Sequence, residues 1–177
     1  MRRRTALFLP LLAAGSVCAH GAPPGAPWAD AVPGARPVGS GTFRWFGLRV
    51  YDATLWAPDA RFDPASPHVL VLQYHVAISR DRFVDASLEE MRRIGGDVPE
   101  AVAARWAAAL QGAFPDVASG DVLAGLHRPG TGCTFFDARR TLASLADPGL
   151  AAAFFGIWLD PRTRDPALRR RLLGATS

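Results

Sequence analysis

The sequence contains no lysine, so its 20 basic residues are all arginines, set against 16 acidic residues. Three of the arginines (Arg2, Arg3 and Arg4) lie at the extreme N-terminus, and the rest of the chain is close to neutral. The pI of about 10.0 therefore reflects the high pKa of arginine more than a basic surface. No basic stripe with interleaved aromatic residues occurs, so we expect no binding of nucleic acid.

Cysteine is almost absent as well. Cys18 belongs to an N-terminal segment that we expect to be removed, and Cys133 is the one other cysteine of the chain. A single cysteine cannot form an internal disulfide bond. Cys133 follows a glycine turn at the start of a predicted strand, and no neighbouring motif would activate it. We predict a buried structural thiol, because free cysteine usually packs as a small hydrophobic residue.

The four histidines form no metal-binding pattern. His68 and His75 have opposite parity on one predicted strand, so they cannot share a metal ion. His127 stands alone in the sequence. No group of histidine, cysteine and carboxylate residues has metal-ligand spacing. We therefore expect neither a metal ion nor a cofactor.

The first 19 residues have the pattern of a secretory signal peptide. The three arginines precede an apolar run, Ala6–Ala14, and the small-residue site Val17-Cys18-Ala19. The apolar run is shorter than the ~20 residues that a membrane span requires. We predict cleavage after Ala19 and a periplasmic protein that begins at His20. A lipoprotein anchored through Cys18 is the alternative, but Val17 is bulkier than such sites usually allow.

The remainder divides into a lead-in and one domain. Residues 20–37 are rich in proline, glycine and alanine and are predicted to be mobile. Residues 38–175 have the size of a single domain, without internal repeats, and we expect a monomer.

Within the domain, strands and helices occur in blocks. Aromatic, β-branched and alternating apolar residues predict five strands: Thr42–Phe46, Leu48–Trp56, His68–Val76, Asp121–His127 and Thr131–Asp137. Capping residues and helical spacing predict four helices: Arg80–Ile94, Val98–Ala113 with Asp97 and Glu100 as a capping box, one starting at Asp147-Pro148 and one running from Asp165-Pro166 to Gly174. This order predicts an α+β fold with a mainly antiparallel sheet covered on one face by helices.

Several segments resemble one protein family. They are Gly-Ser-Gly-x-x-Arg and Val-Tyr-Asp-Ala-Thr-Leu-Trp between Gly39 and Trp56, Phe-Pro-Asp-Val and Gly-Asp-Val-Leu before residue 124, Pro-Gly-Thr-Gly-Cys-Thr-Phe-Phe, and Ala-Phe-Phe-Gly-Ile-Trp-Leu-Asp-Pro. Together they resemble the chalcone isomerase-like proteins, in particular their exported bacterial branch, over Gly39–Gly174. The resemblance implies the family's fold and a ligand cleft between sheet and helices.

The resemblance also implies positions for an active site. Chalcone isomerases place an arginine on the first strand, a threonine on the second, and a tyrosine and an asparagine on the first helix. These positions correspond here to Arg44, Val50, Phe83 and Glu90. The sequence has no asparagine, and a carboxylate at the last position would repel a developing phenolate. We therefore expect no chalcone isomerisation.

The positions that remain suit a binding protein. Some plant members of the fold bind fatty acids, with the corresponding arginine on the carboxylate. The resemblance thus implies a small amphipathic acid held by Arg44, with Phe83, Trp106 and aliphatic side chains around its tail. Arg44 could instead pair permanently with Glu90 or be exposed, while Arg49 and Tyr51 are weaker candidates. An isomerase or lyase with Arg44 as electrophile and Glu90 as base is the alternative function, and a structural or partner-binding domain is a third.

Overall fold

The computed structural model describes residues 22–96 and 98–175 of the chain. The proposed signal peptide, Cys18, His20 and the helix cap Asp97 lie outside these residues. A short 3-10 helix, Ala29–Ala31, precedes six strands and four helices. The strands are β1 (Ala35–Trp45), β2 (Leu48–Pro58), β3 (His68–Tyr74), β4 (Val122–Arg128), β5 (Gly132–Phe136) and β6 (Thr141–Leu145). The helices are α1 (Arg80–Gly95), α2 (Glu100–Ala113), α3 (Pro148–Leu159) and α4 (Pro166–Leu172).

The strands form one antiparallel sheet in the order β1-β2-β3-β4-β5-β6, so each strand pairs with its neighbours in sequence. The two helices α1 and α2 are inserted between β3 and β4, and α3 and α4 follow the last strand. All four helices contribute to the core on one face of the sheet. The predicted α+β fold with a mainly antiparallel sheet is therefore confirmed.

The opposite face of the sheet carries a smaller core. Trp28 and Val32 precede β1 and are both 3% exposed, and Trp28 packs on Trp56 with ring centroids 5.3 Å apart. This corrects the prediction of a mobile lead-in for residues 22–37. The prediction followed the proline and glycine content of the segment and overlooked Trp28 and Val32. The burial of these two apolar side chains fixes the segment against the sheet.

The strand boundaries differ from prediction at both edges of the sheet. β1 begins at Ala35, seven residues before the predicted start, because an edge strand tolerates proline and the glycines let a helix approach closely. The short strand β6 was not predicted, since Thr141–Leu145 is rich in alanine, serine and leucine. Helix α2 begins after Pro99 at Glu100, without a side-chain cap.

Helix capping follows prediction elsewhere. The Ser79 side chain accepts a hydrogen bond from the Arg82 amide at the start of α1, and Asp147 and Asp165 cap α3 and α4 by accepting from Leu150 and Leu168. Cys133 is buried, and burial raises the pKa of its thiol to about 12. The thiol is thus an unreactive core group at neutral pH.

One buried pair corrects the statement that His127 is isolated. His68 and His127 face each other across β3 and β4, and Nδ1 of His127 lies 3.3 Å from Nε2 of His68. The ring of Phe155 stacks on His127 at 4.8 Å, and both histidines are buried. Among the described residues, no group of three or more histidine, cysteine, aspartate or glutamate residues could bind a metal.

Candidate functional site

A cavity of about 360 Å³ lies between the helical layer and the β1–β3 end of the sheet. Its volume falls at the small end of the ~300–1,000 Å³ typical of ligand pockets. Most of the wall is apolar and comes from three strands and three helices: Phe43, Trp45, Val50, Tyr51, Tyr74, Phe83, Ile157, Trp158 and Leu168. Such a wall favours the hydrocarbon portion of a ligand.

The aromatic part of this wall is continuous. Phe43 and Tyr51 are cross-strand partners whose rings stack at 5.0 Å. Tyr51 in turn contacts Tyr74 edge-on at 5.7 Å, and Tyr74 meets Phe83 of α1 at 6.4 Å. Because successive strands pair these residues in register, their rings form one ridge across the sheet and onto α1.

Two tyrosine hydroxyls supply polarity inside this apolar wall. The Tyr51 hydroxyl oxygen accepts a hydrogen bond from Nε1 of Trp158 at 2.9 Å, which leaves its own proton for a ligand. The buried Tyr74 hydroxyl has no hydrogen-bond partner among the described residues. Burial raises the pKa of both tyrosines above the usual value, so both are neutral donors at physiological pH.

The two glutamates at the cavity are held by arginines. Glu90 accepts from Nε of Arg93 at 2.9 Å and lies 2.5 Å from the Arg164 guanidinium, which also reaches Glu89 at 3.3 Å. The Asp165 carboxylate instead caps α4, where it accepts a hydrogen bond from the Leu168 amide. Glu90 is thus clamped between two cations and is poorly placed to act as a general base.

Arg82 is the second arginine that lines the cavity, beside Arg164. It lines the cavity from the first turn of α1, and its guanidinium forms no ion pair with any residue in the described ranges. Because Arg164 is engaged by Glu89 and Glu90, Arg82 is the cavity's best-placed group for an anion. A guanidinium there matches the geometry of a carboxylate.

The structure places Arg44 elsewhere, which corrects the prediction that it holds a ligand or pairs with Glu90. Arg44 is exposed near the β1–β2 turn, and its guanidinium donates a hydrogen bond to the Gly47 carbonyl at 3.2 Å. Phe43 faces the cavity, and the alternation of strand side chains turns Arg44 outward. The remaining alternative, simple exposure, describes its position.

The other four predicted residues divide three to one. Val50, Phe83 and Glu90 line the cavity. Trp106 does not; its indole Nε1 donates to Oδ2 of Asp147 at 3.1 Å and helps to fix the start of α3. This corrects its assignment to the ligand tail, because an apolar stripe identifies a buried helix face but not which neighbour that face meets.

Three cavity residues were missed or ranked too low by sequence reasoning. Tyr51 was judged to face outward, and Tyr74 and Arg82 were not proposed. The strand alternation could have shown that Phe43, Tyr51 and Tyr74 share a face once the strand register was known. Arg82 directly precedes Phe83 on α1, but its exposure to the cavity depends on how the helix packs.

Comparisons with known proteins agree with this architecture. The chain matches the chalcone isomerase-like family over residues 38–174. An uncharacterized protein of Haemophilus influenzae is 27% identical over 146 residues, a match that covers 80% of this chain and 69% of the relative. The crystal structure of a fatty-acid binding protein of Arabidopsis thaliana has a similar fold, with a TM-score of 0.61 and 12% identity over 80% of this chain and 87% of that one. The chain therefore belongs to the chalcone isomerase-like family.

Proposed function

We propose that this protein is a non-catalytic, periplasmic binding protein for a small amphipathic acid such as a fatty acid. The observation that carries the proposal is an apolar cavity of about 360 Å³ with an arginine on its wall, Arg82, that forms no ion pair with any described residue. The tail would lie along the aromatic ridge and the carboxylate would bind Arg82. The fold resembles that of a protein described as a fatty-acid binding protein, which supports the same class of ligand.

The chemistry of the wall counts against the isomerase alternative. Arg44, the intended electrophile, lies outside the cavity, and Glu90, the intended base, is bound by Arg93 and Arg164. Val50 and Phe83 carry no polar group at the positions that correspond to the catalytic threonine and tyrosine of chalcone isomerases. We expect no ring closure of a chalcone above the uncatalysed rate, as measured spectrophotometrically with excess protein.

The Arg82 assignment is tested by comparing an acid with its matching alcohol. In Arg82→Gln, we expect dodecanoic acid to bind about 10- to 100-fold more weakly, since hydrogen bonds to charged groups contribute about 1.5–3 kcal/mol. Dodecanol, which has the same tail and no charge, should bind equally to both proteins. Isothermal titration of each ligand gives the two affinities.

Arg80→Gln is the matched control, because Arg80 is an exposed arginine two residues away on the same helix and does not line the cavity. It should bind the acid as the parent does. An equal loss of acid and alcohol in Arg82→Gln would assign Arg82 to packing. A parent protein that binds neither compound would contradict the proposed function.

The periplasmic location is inferred from the first 19 residues. N-terminal sequencing of the protein recovered from the producing cell should begin at His20. A mature chain that starts at a lipid-modified Cys18 would place the protein on a membrane instead.

A further inference from the structure

The turn between β1 and β2 exposes three large hydrophobic side chains. Trp45 is 47% exposed, Phe46 94% and Leu48 59%. No other large hydrophobic residue in the described part of the chain is comparably exposed. Trp45 and Leu48 are register partners, so Phe46 and Gly47 form a two-residue turn at the end of a long hairpin. We refer to residues 45–48 as the tip.

Neither local conformation nor packing explains the phenylalanine of the tip. Phe46 has φ = 46° and Gly47 has φ = 82°, both in the left-handed region. Turns of this kind favour asparagine, aspartate or glycine at the first position, and a bulky side chain is disfavoured there. The side chain of Phe46 is almost wholly exposed, so burial within this chain does not offset that cost.

One flank of the tip is cationic. Arg44 is exposed, and its guanidinium donates only to the Gly47 carbonyl among the described residues. Arg49, on the other strand, is bound by Asp52, which balances its charge. The tip therefore presents aromatic and aliphatic side chains beside one uncompensated guanidinium. Aromatic side chains are enriched at membrane interfaces, and guanidinium groups bind phosphate.

The tip is also continuous with the cavity. Trp45 lines the cavity, contacts Phe46 edge-on at 5.1 Å and stacks on Phe43 at 6.4 Å. The aromatic ridge of Phe43, Tyr51, Tyr74 and Phe83 thus extends outward to the tip. An acyl chain moving along this path would keep contact with apolar surface throughout.

We propose that the tip is a docking surface for a lipid bilayer that contains anionic phospholipid. The three exposed side chains of the tip cannot provide the ~800 Å² per partner of a standard protein interface. Shallow insertion of a few aromatic and aliphatic groups, with an arginine at the headgroups, is enough for reversible association with a membrane. Docking would bring the cavity mouth against the bilayer, where amphipathic acids partition.

Docking itself does not depend on the proposed function; only the use of the membrane as the source of the ligand rests on it. Vesicle binding is therefore measured on the full chain without added acid. The probe is vesicles of phosphatidylcholine with and without phosphatidylglycerol. Trp45 is the exposed one of the five tryptophans, the other four being 3–8% exposed, so a blue shift of fluorescence reports on the tip.

The decisive variant is Phe46→Asn combined with Leu48→Thr. It makes an Asn-Gly turn, which favours this hairpin geometry, and removes the two most exposed apolar side chains. We expect vesicle partitioning to fall at least tenfold while the melting temperature stays the same or rises. The parent and the variant share the same N-terminus, so its apolar run cannot produce the difference.

Two further variants test the chemistry. Phe46→Trp should keep vesicle binding, and Arg44→Gln should weaken binding to phosphatidylglycerol vesicles but not to vesicles of phosphatidylcholine alone. Equal partitioning of the parent and the double variant, or no binding by the parent, would overturn the proposal. Vesicle binding by a protein that does not bind dodecanoic acid would leave the tip proposal standing and remove the proposed function.

Discussion

At the scale of single residues, the two tyrosines of the chain show how the same side chain can have opposite energetic roles. Both lie on the cavity wall, on neighbouring strands. Tyr51 provides the acceptor for a buried indole N–H, whereas Tyr74 has no partner in the described structure. A buried polar group without a partner costs free energy, and a satisfied one does not.

The two Tyr→Phe variants should therefore differ in stability. Tyr51→Phe leaves the Trp158 N–H without its acceptor and should lower the free energy of unfolding by about 1–3 kcal/mol. Tyr74→Phe removes an unpartnered hydroxyl and should leave stability unchanged or raise it slightly. Denaturant unfolding of both variants decides this, and equal losses would mean that Tyr74 is satisfied in solution.

Arg44 provides a second prediction at this scale. Because Arg44 is exposed and its one side-chain hydrogen bond among the described residues is to a turn carbonyl, Arg44→Ala should change the free energy of unfolding by no more than about 0.5 kcal/mol. A buried ion pair with Glu90 would instead make the change cost about 3–5 kcal/mol. Chemical denaturation of the apo protein separates the two results. A loss in the larger range would show that Arg44 forms a buried ion pair with Glu90 after all.

At the scale of elements, α4 lies unusually close to β1. A Cβ atom on Gly39 would overlap the Arg171 carbonyl oxygen, and one on Gly41 would lie 2.7 Å from Leu168 Cδ1. Leu168 also lines the cavity, so the approach of α4 helps to close it. The two glycines therefore set the distance between the edge of the sheet and the helix that forms one cavity wall.

Alanine at Gly39 should accordingly destabilise the fold by about 1–3 kcal/mol, the usual cost of overpacking. Gly41→Ala should cost less, because side-chain atoms can move more readily than the Arg171 backbone. Gly112→Ala is the control: it lies in α2 with open space around it and should be neutral or stabilising. Thermal melts of the three variants test this order, and a neutral Gly39→Ala would show that α4 can shift freely.

The elements also show how far the sequence could predict this fold. The long strands β2 and β3 and the helices α1, α3 and α4 follow from alternation, helical spacing and capping, all of which are local. The first half of β1 could not be predicted in this way, because Gly39 and Gly41 serve a close helix contact. β6 is stabilised by pairing with β5 and has little strand propensity of its own.

The candidate site was less predictable than the fold, because it too depends on contacts between elements that are distant in the sequence. Resemblance located the correct end of the sheet, so Val50, Phe83 and Glu90 reach the cavity. It could not show which arginine faces the cavity, because that depends on strand face and helix packing. Arg44 and Arg82 are both arginines beside a phenylalanine, and only the three-dimensional structure separates their environments.

At the scale of the whole molecule, the main core contains a buried pair of bases. His68 and His127 join β3 to β4 beneath Phe155 of α3. Burial lowers the pKa of His68, and burial together with the neighbouring His68 lowers the pKa of His127 to about 4. Protonating either ring inside the core would place a charge among apolar side chains.

The fold should therefore lose stability as the pH falls from about 6.5 to about 4. In this range the histidines of the unfolded chain bind protons that the folded chain does not, so acidification favours unfolding. A lowering of the pKa as large as that of His127 corresponds to about 3 kcal/mol of stability. His127→Gln keeps a hydrogen-bonding group beside His68 without titrating and should flatten this slope. Carboxylates contribute to stability at lower pH. The Arg162 hydrogen bond lowers the pKa of Asp160 to about 2, so the stability that this carboxylate provides is lost only as the pH falls below about 4. Denaturant unfolding at half-unit pH intervals resolves the two ranges, and equal slopes for the parent and His127→Gln between pH 6.5 and 4 would exclude His127 as the cause.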